Sequence, residues 1–550
     1  MPTDLLLVLI AGVIAIVFAN SIASKTGVAG PLVLVVVGVI VSLVPAVPAI
    51  TIPPELILAG VLPPLLFSAA VSAPAIEFRR DITAIGGLSV LLVVVSALVL
   101  GVFFWWAIPG LGFPLAVALG AILSPTDAVA TSIVKRLGVP RRVVTVLEGE
   151  SLLNDASALV LLRTAIVAAA SGFSFLATLG EFFWAVLSAV VVGVVVGFLA
   201  LRLRHWTTSA TANTALGLTV PYLAYLPTEA LGGSGLVAAV AAGVVCGQGA
   251  VRWLTPEQRL SDASTWRTIE FVLEGAVFLM MGLELYGIVQ GNVAADGGVA
   301  KALGIAALAF VVIVLVRAAY VVPMLSLHTR HVARARRRRV RAEQEAASVR
   351  QERRAGRARV DLDYFDASPL TWKHNTIIVW AGMRGAVTLA AAQTLPQATP
   401  ERDLLVFIAF LVAAGSLLLQ GLTLPVLAKA LGLRREAAAG PPRAEIRMLD
   451  GDLRATARAR LSSGGIARAD GSPFPEGSHV RVLSRLGMDA DLQGDGSIEF
   501  ELQLAVIGVM RERLHELGRS GRYSTAALRY VLDELDASEI SARLHLESEE

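Results

Sequence analysis

One cysteine among 550 residues, Cys246, leaves no partner for an internal disulfide and rules out a cysteine-rich metal site. It lies in the apolar run Val244-Val245-Cys246-Gly247, the setting of a small buried thiol. Charge is also scarce. Asp, Glu, Lys and Arg make up 17% of the chain against 55% hydrophobic residues, and the mean hydropathy is +0.68. That balance excludes an ordinary soluble globule and indicates an all-α polytopic membrane protein. The first apolar run, Leu5–Ile22, has no basic stretch before it, so it reads as a retained first helix and not as a cleaved signal peptide.

Apolar segments long enough to cross a bilayer fall near 5–24, 30–47, 55–75, 82–107, 113–135, 143–170, 178–203, 210–227, 231–249, 266–290, 299–327, 373–396 and 403–431, thirteen in all. Every second loop is nearly devoid of basic residues. The loops between carry Lys25, Arg79-Arg80, Lys135-Arg136 with Arg141-Arg142, Arg202 with Arg204, Arg252 with Arg259, a long arginine-rich stretch, and Arg434-Arg435. A wrong span count would break this alternation. The positive-inside rule then puts the N-terminus outside and the C-terminus in the cytoplasm, in a plasma membrane. Six spans, a linker and six more of opposite orientation is the topology of an inverted repeat.

The chain divides into a membrane part, residues 1–435, and a tail, residues 436–550, whose composition turns soluble. Glu499–Leu517 and Thr525–Leu535 read as amphipathic helices of that tail. Asp491, Gln493 and Asp495 resemble the start of a calcium loop, but Leu502 stands where the bidentate Glu would be, so the segment reads as a solvated turn. The arginine-rich loop 328–368 reads as a basic segment near anionic headgroups. It lacks the aromatic platforms that nucleic-acid binding uses, and no nucleic-acid partner is expected.

Against this apolar background a few polar stretches stand out. Glu150-Ser151-Leu152-Leu153-Asn154-Asp155 places two carboxylates, an amide and a hydroxyl in one spanning helix, with Ser151, Asn154 and Asp155 on one face. A charge at the bilayer centre costs about 2.5–3.5 kcal/mol on insertion scales, so ion or proton handling is the default expectation. In span 5, Ser124-Pro125-Thr126-Asp127 sets an acid just after a proline-forced break. Broken helices are tolerated where they line a cavity, and their free backbone groups suit ion coordination. Asp127 and Asp155, with Thr126 and Ser151, can offer oxygens to one hard cation such as Na+. Burial and mutual repulsion of the two acids let a proton compete for the same place.

In span 12, Arg384 stands among small residues in Gly382-Met383-Arg384-Gly385-Ala386, which permit close approach or local unwinding. A buried guanidinium needs an acid, and Glu150 is the expected partner. Arg163, Glu229, Glu270, Glu274 and Glu284 are further intramembrane charges; Arg163 is expected to pair with one of these acids, and Glu229 and Glu274 are possible accessory groups.

Gly149-Glu150-Ser151-Leu152-Leu153-Asn154-Asp155, Ser124-Pro125-Thr126-Asp127, Arg384-Gly385-Ala386 and Leu62-Pro63-Pro64-Leu65-Leu66-Phe67, in thirteen spans, resemble the monovalent cation/proton antiporter family 1, in its bacterial NhaP-type form. The resemblance covers about residues 5–432. It implies a six-helix core in which spans 5 and 12 are broken and cross, a separate dimerisation domain, a homodimer in the lipid bilayer, and elevator-type alternating access. It further implies that Asp155 is the acid shared by cation and proton, with Asp127, Thr126 and Ser151 completing a Na+ site. Asn154 stands where electrogenic relatives have a second Asp, which implies electroneutral one-for-one exchange. Glu150 and Arg384 match the family's structural ion pair. Two positions depart from the pattern. Ser68-Ala69-Ala70 stands where many relatives carry an acid, and Glu274 where a neutral polar residue is common.

The expectation is thus a secondary active antiporter, not an enzyme, exchanging Na+ (or Li+ or K+) for H+ in pH and cation homeostasis, with no cofactor. A K+-selective antiporter of the same fold is the nearest alternative. A channel or transport-dead sensor is more remote, because the charges are placed asymmetrically and not in rings. An intramembrane aspartyl protease would need a Gly-x-Gly-Asp motif that neither Asp127 nor Asp155 has.

Overall fold

The computed structural model describes residues 3–26, 28–44, 53–171, 175–294, 298–344, 364–365, 370–433, 443–468, 472, 474 and 496–549. Among these the chain is almost wholly helical. In lipid every backbone N–H and C=O must find its partner within the protein, and helices achieve this within each segment. The helices of the membrane part are α1 Thr3–Thr26, α2 Gly30–Ser42, α3 Leu56–Ser72, α4 Ala75–Arg80, α5 Ile82–Ala107, α6 Phe113–Ile122, α7 Ala128–Arg136, α8 Arg141–Ser171, α9 Phe175–His205, α10 Ala210–Ala230, α11 Gly235–Trp253, α12 Pro256–Leu283, α13 Leu285–Ala294, α14 Val299–Gln344, α15 Trp372–Trp380, α16 Ala386–Gln393 and α17 Arg402–Ala430.

Each of the thirteen expected segments falls on one of these helices or on a broken pair. Seven stretches, within α5, α8, α9, α11, α12–α13, α14 and α17, are long and apolar enough to cross a membrane unaided, and four more are apolar but shorter. Span 5 is the pair α6/α7 and span 12 the pair α15/α16, so both expected breaks are present. Pro63 and Pro64 have no N–H to donate, and the turn before them, Leu56–Val61, widens to a π-helix.

The helices pack through small residues. A side chain on Gly38 of α2 would meet the Leu279 carbonyl at 2.5 Å, and one on Gly282 of α12 would meet the Val35 carbonyl at 2.4 Å. The backbones of α2 and α12 touch there. The largest apolar cluster joins α2 and α3 to α5–α8 and α12–α17; a second joins α9, α10 and α11 through Phe67, Ala189, Val220 and Cys246. Phe18, Trp106, Phe183 and Phe198 point outward, as the lipid-facing side of such a bundle requires.

The tail contributes α18 Arg443–Ser462, α19 Gly496–Ser520 and α20 Thr525–Glu549, longer than the two helices expected and one more in number. The missed helix, α18, carries Leu449, Leu453, Ala457 and Leu461 four residues apart, all buried, a signal legible in the sequence. Together the three helices close their own apolar cluster. The tail also binds the membrane part. Thr525 donates from its backbone to Glu77 (2.8 Å), Arg80 donates to the Gly521 carbonyl (2.6 Å), and Arg259 of α12 holds Asp536 of α20 (2.8 Å). The calcium-like positions 491–495 and most of the loop 345–368 lie outside the described residues.

The α2–α12 crossing generates a prediction. Replacing Gly282 by Val forces two backbones apart, an overpacking change that costs about 1–3 kcal/mol. Thermal unfolding of the purified protein should show a lowered midpoint for Gly282→Val. Gly304→Ala, on a helix face with open space, should leave it unchanged or raised.

Candidate functional site

Pro125 ends α6, and the chain runs unwound from Leu123 to Asp127 before α7 begins. Asp127 is the N-cap of α7, its Oδ1 accepting from the Val129 amide at 3.0 Å. The second break, Ala381 to Gly385, follows from the small residues around Arg384. The two breaks meet: the Asp127 amide donates to the Met383 carbonyl at 2.8 Å. A side chain on Gly385 would strike the Asp127 carboxylate, so only glycine allows this crossing.

Unwinding strands backbone carbonyls inside the bundle, and buried carbonyls need donors. Arg384 supplies them. Its Nε donates to the Leu123 carbonyl (2.8 Å), its Nη2 to the Ser124 carbonyl (3.3 Å) and its Nη1 to the Gly382 carbonyl, while its amide donates to Ser416 Oγ of α17 (3.0 Å). One side chain thus stitches both breaks together.

The expected pairing of Glu150 with Arg384 is therefore corrected. Glu150 is paired with Arg317 of α14, whose two terminal nitrogens donate to its two carboxylate oxygens, Nη2 to Oε2 at 2.8 Å. Both side chains are almost completely buried. Arg317 also donates to the Ile378 carbonyl near the C-terminal end of α15 (Nη2 at 2.9 Å) and so caps the first half of the second broken helix. Gly382 makes room for it, since a side chain there would lie 2.5 Å from Arg317 Nε. Arg384 is committed to carbonyls, which explains why the carboxylate goes to the other arginine. Sequence reasoning missed Arg317, although one arginine inside Val311–Tyr320 was signal enough.

From Glu150 a chain of hydrogen bonds runs on through the expected site. Thr126 Oγ1 donates to Glu150 Oε1 (3.1 Å) and accepts from Asn154 Nδ2 (2.7 Å), which also reaches the Thr126 carbonyl (3.2 Å). Asn154 Oδ1 is buried with no hydrogen-bond partner among the described residues. Asp155, the next residue on α8, borders a small cavity with Ala121, Ile122, Pro125 and Val387, residues of both broken helices. It lies within electrostatic reach of Asp127. Ser151, one turn before Asp155, is half-buried.

The accessory charges separate. Arg163 and Glu229 form a pair at 3.2 Å, more than half and more than a third exposed, away from the crossing. Glu274 on α12 is half-buried and shares its electrostatic surroundings with Asp127, Glu270 and Arg136; Glu270 accepts from Ser68 (3.4 Å). Glu284 accepts from Gln393 of α16 (2.8 Å), tying α12 to the second broken helix.

A family model for the transmembrane sodium/hydrogen exchangers matches residues 11–430. The chain belongs to that family of transporters. This exchanger is 30% identical over 527 residues to YjcE of Escherichia coli strain K12, named as an uncharacterized Na+/H+ exchanger, covering 88% of this chain and 89% of that one. It is 28% identical to an antiporter of Bacillus pumilus named for sodium, potassium, lithium and rubidium against H+, over 72% of this chain and 57% of that one. The fold is that of the sodium proton antiporter MjNhaP1 of Methanocaldococcus jannaschii: TM-score 0.57 at 17% identity, covering 78% of this exchanger and 99% of that chain. Family and fold agree that the exchanger is a multi-pass membrane protein.

Removing one member of a buried ion pair costs about 3–5 kcal/mol, because the other is left charged and unpaired. Arg317→Ala and Glu150→Ala should each lower the unfolding midpoint strongly, and the double variant by much less than their sum. Arg384 feels the charges of Glu150 and Arg317 without bonding either, so Arg384→Ala should couple to Glu150→Ala far more weakly than Arg317→Ala does, and a double-mutant cycle on the purified exchanger separates the two assignments.

Proposed function

We propose that this exchanger carries one Na+ inward or outward against one H+, with Asp155 as the group both ions use in turn. The observation that supports this best is the position of Asp155 on a cavity between the two broken helices. At the crossing, Glu150 is already neutralised by Arg317, and Arg384 is bound to backbone carbonyls. An ionised Asp155 adds a single excess negative charge in a medium that tolerates none well. One proton cancels it, or one monovalent cation does. Both ions cannot occupy the carboxylate together, so entry of one expels the other.

The oxygens around Asp155 suit a hard, weakly bound cation. Asp127 has one carboxylate oxygen on the Val129 amide and a second beside Gly385. Thr126, Ser151 and the unpartnered Oδ1 of Asn154 supply neutral oxygens. Because Asn154 carries no charge, the site changes by one proton per cation, and exchange is electroneutral. No cofactor is required. Glu270 and Glu274, with Lys135 and Arg136 nearby, lie on the approach and concentrate cations without binding them tightly.

Alternating access comes from movement of the broken-helix body against the rest, in a homodimer embedded in lipid. The N-terminus is outside and the tail, residues 436–550, is cytoplasmic and regulatory, a reading supported by the basic loops and by the contacts of α20 with Arg259 and Glu77. Potassium as a further substrate is favoured by the resemblance to the Bacillus pumilus antiporter, whose name includes four alkali cations.

Purified protein in liposomes, given a pH jump in Na+, Li+ or K+, tests the reading. Wild-type protein should release internal acid in at least one of these cations, at a rate unchanged when valinomycin clamps the voltage. Asp155→Asn should fold normally and lose exchange at least a hundredfold at every pH. Exchange retained in that variant removes Asp155 from the mechanism.

A further inference from the structure

A second cleft lies at the seam between tail and membrane part. It has a volume of about 510 Å3 and is bordered by Val251 and Arg252, at the end of α11, and by Arg511, Glu512, His515 and Arg519 of α19. That volume falls within the 300–1,000 Å3 usual for small-molecule sites. Residues 511, 515 and 519 are four apart, so helical geometry stacks them on one face of α19.

The charges in the cleft do not cancel. Arg252 and Arg519 are exposed and have no acidic partner among the described residues. Arg511 spends one terminal nitrogen on Asp536 (3.0 Å) and Glu539, while its Nε is buried without a hydrogen-bond partner. Glu512, the one acid of the lining, faces Arg460 outside the cleft at 3.8 Å. Two guanidiniums without an acidic partner among the described residues, Arg252 and Arg519, therefore share a small volume with an imidazole, one carboxylate, and an Arg511 that is bound on one edge only. Arg252 also lies over the Trp253 ring, 5.4 Å from its centroid. Like charges are gathered this way at a cost unless an anion joins them.

We infer that this cleft binds a phosphate-bearing anion, held by Arg252, Arg511 and Arg519. Guanidinium forks match phosphate oxygens in pairs, which explains arginine at all three fixed cationic positions. Gly508 lies at the cleft wall, and a side chain there would meet nothing within 4 Å, so the opening is made by a missing side chain and not by strained packing. Val251 packs into the apolar cluster of the tail, which fixes Arg252 relative to α19. The anion has two chemical sources: a free phosphate compound in solution, or the headgroup of an anionic phospholipid reaching past Trp253. The site does not depend on the exchange mechanism, and its test reads binding alone.

The full-length protein in phosphatidylcholine nanodiscs is titrated with pyrophosphate and with ATP by calorimetry. In parallel, nanodiscs containing phosphatidylglycerol are compared for retained lipid by native mass spectrometry. At least one probe should bind saturably, weakening as salt is raised. Binding should fall at least tenfold in Arg252→Gln and in Arg519→Gln. Gly508→Leu puts a side chain into the cleft without removing a charge and should weaken binding while leaving the unfolding midpoint of the protein unchanged or raised. A soluble probe that binds identifies the free anion, and phosphatidylglycerol retention identifies the headgroup. If no probe binds, or if the three variants bind as wild type does, the assignment is overturned.

Discussion

The double fork between Arg317 and Glu150 is the interaction on which the membrane part depends. Two helices are broken in the middle of an apolar bundle, and each break frees carbonyls that lipid cannot satisfy. Arg317 bridges the problem by touching α14, α8 and the end of α15 at once. Its charge is met by Glu150, and Glu150 in turn orients Thr126 and, through it, Asn154. The breaks are thus held by side chains whose charges cancel.

Arg384 performs the complementary task. It reaches carbonyls on both breaks and binds no carboxylate among the described residues. A guanidinium is suited to this because five donors in a rigid plane can serve several acceptors, where an ammonium would serve them with less fixed geometry. The result is a rigid crossing beside a carboxylate, Asp155, that makes no hydrogen bond into the network among the described residues. Rigidity around one unlocked charge is the condition for an ion site whose occupant can change without the scaffold collapsing.

Several parts of this arrangement were legible without coordinates. Pro125 marked the first break, because a missing donor is a local property; the Gly382–Gly385 stretch permitted a second, which the family resemblance implied. The run from Glu150 to Asp155 marked the polar face, because helical spacing is local as well. The pairing of Glu150 was not legible. Arg384 and Arg317 are both single arginines in apolar runs, and residue spacing gives no means to choose between partners 167 positions apart and 234 positions apart. Helix α18 was legible in principle, in the four-residue spacing of Leu449, Leu453, Ala457 and Leu461, although the segment around it is strongly charged.

The amino-acid sequence by itself determined that this is a membrane protein of thirteen apolar segments, one interrupted at Pro125, with acids on that segment and on the next. These follow from hydropathy, from proline and glycine chemistry, and from helical periodicity, all of which act over a few residues. Tertiary structure alone decided which guanidinium met which acid, that Arg163 and Glu229 lie apart from the crossing, and that α19 and α11 enclose a basic cleft. Those outcomes depend on which helices pack side by side, and that is settled by the shape and volume of the whole bundle.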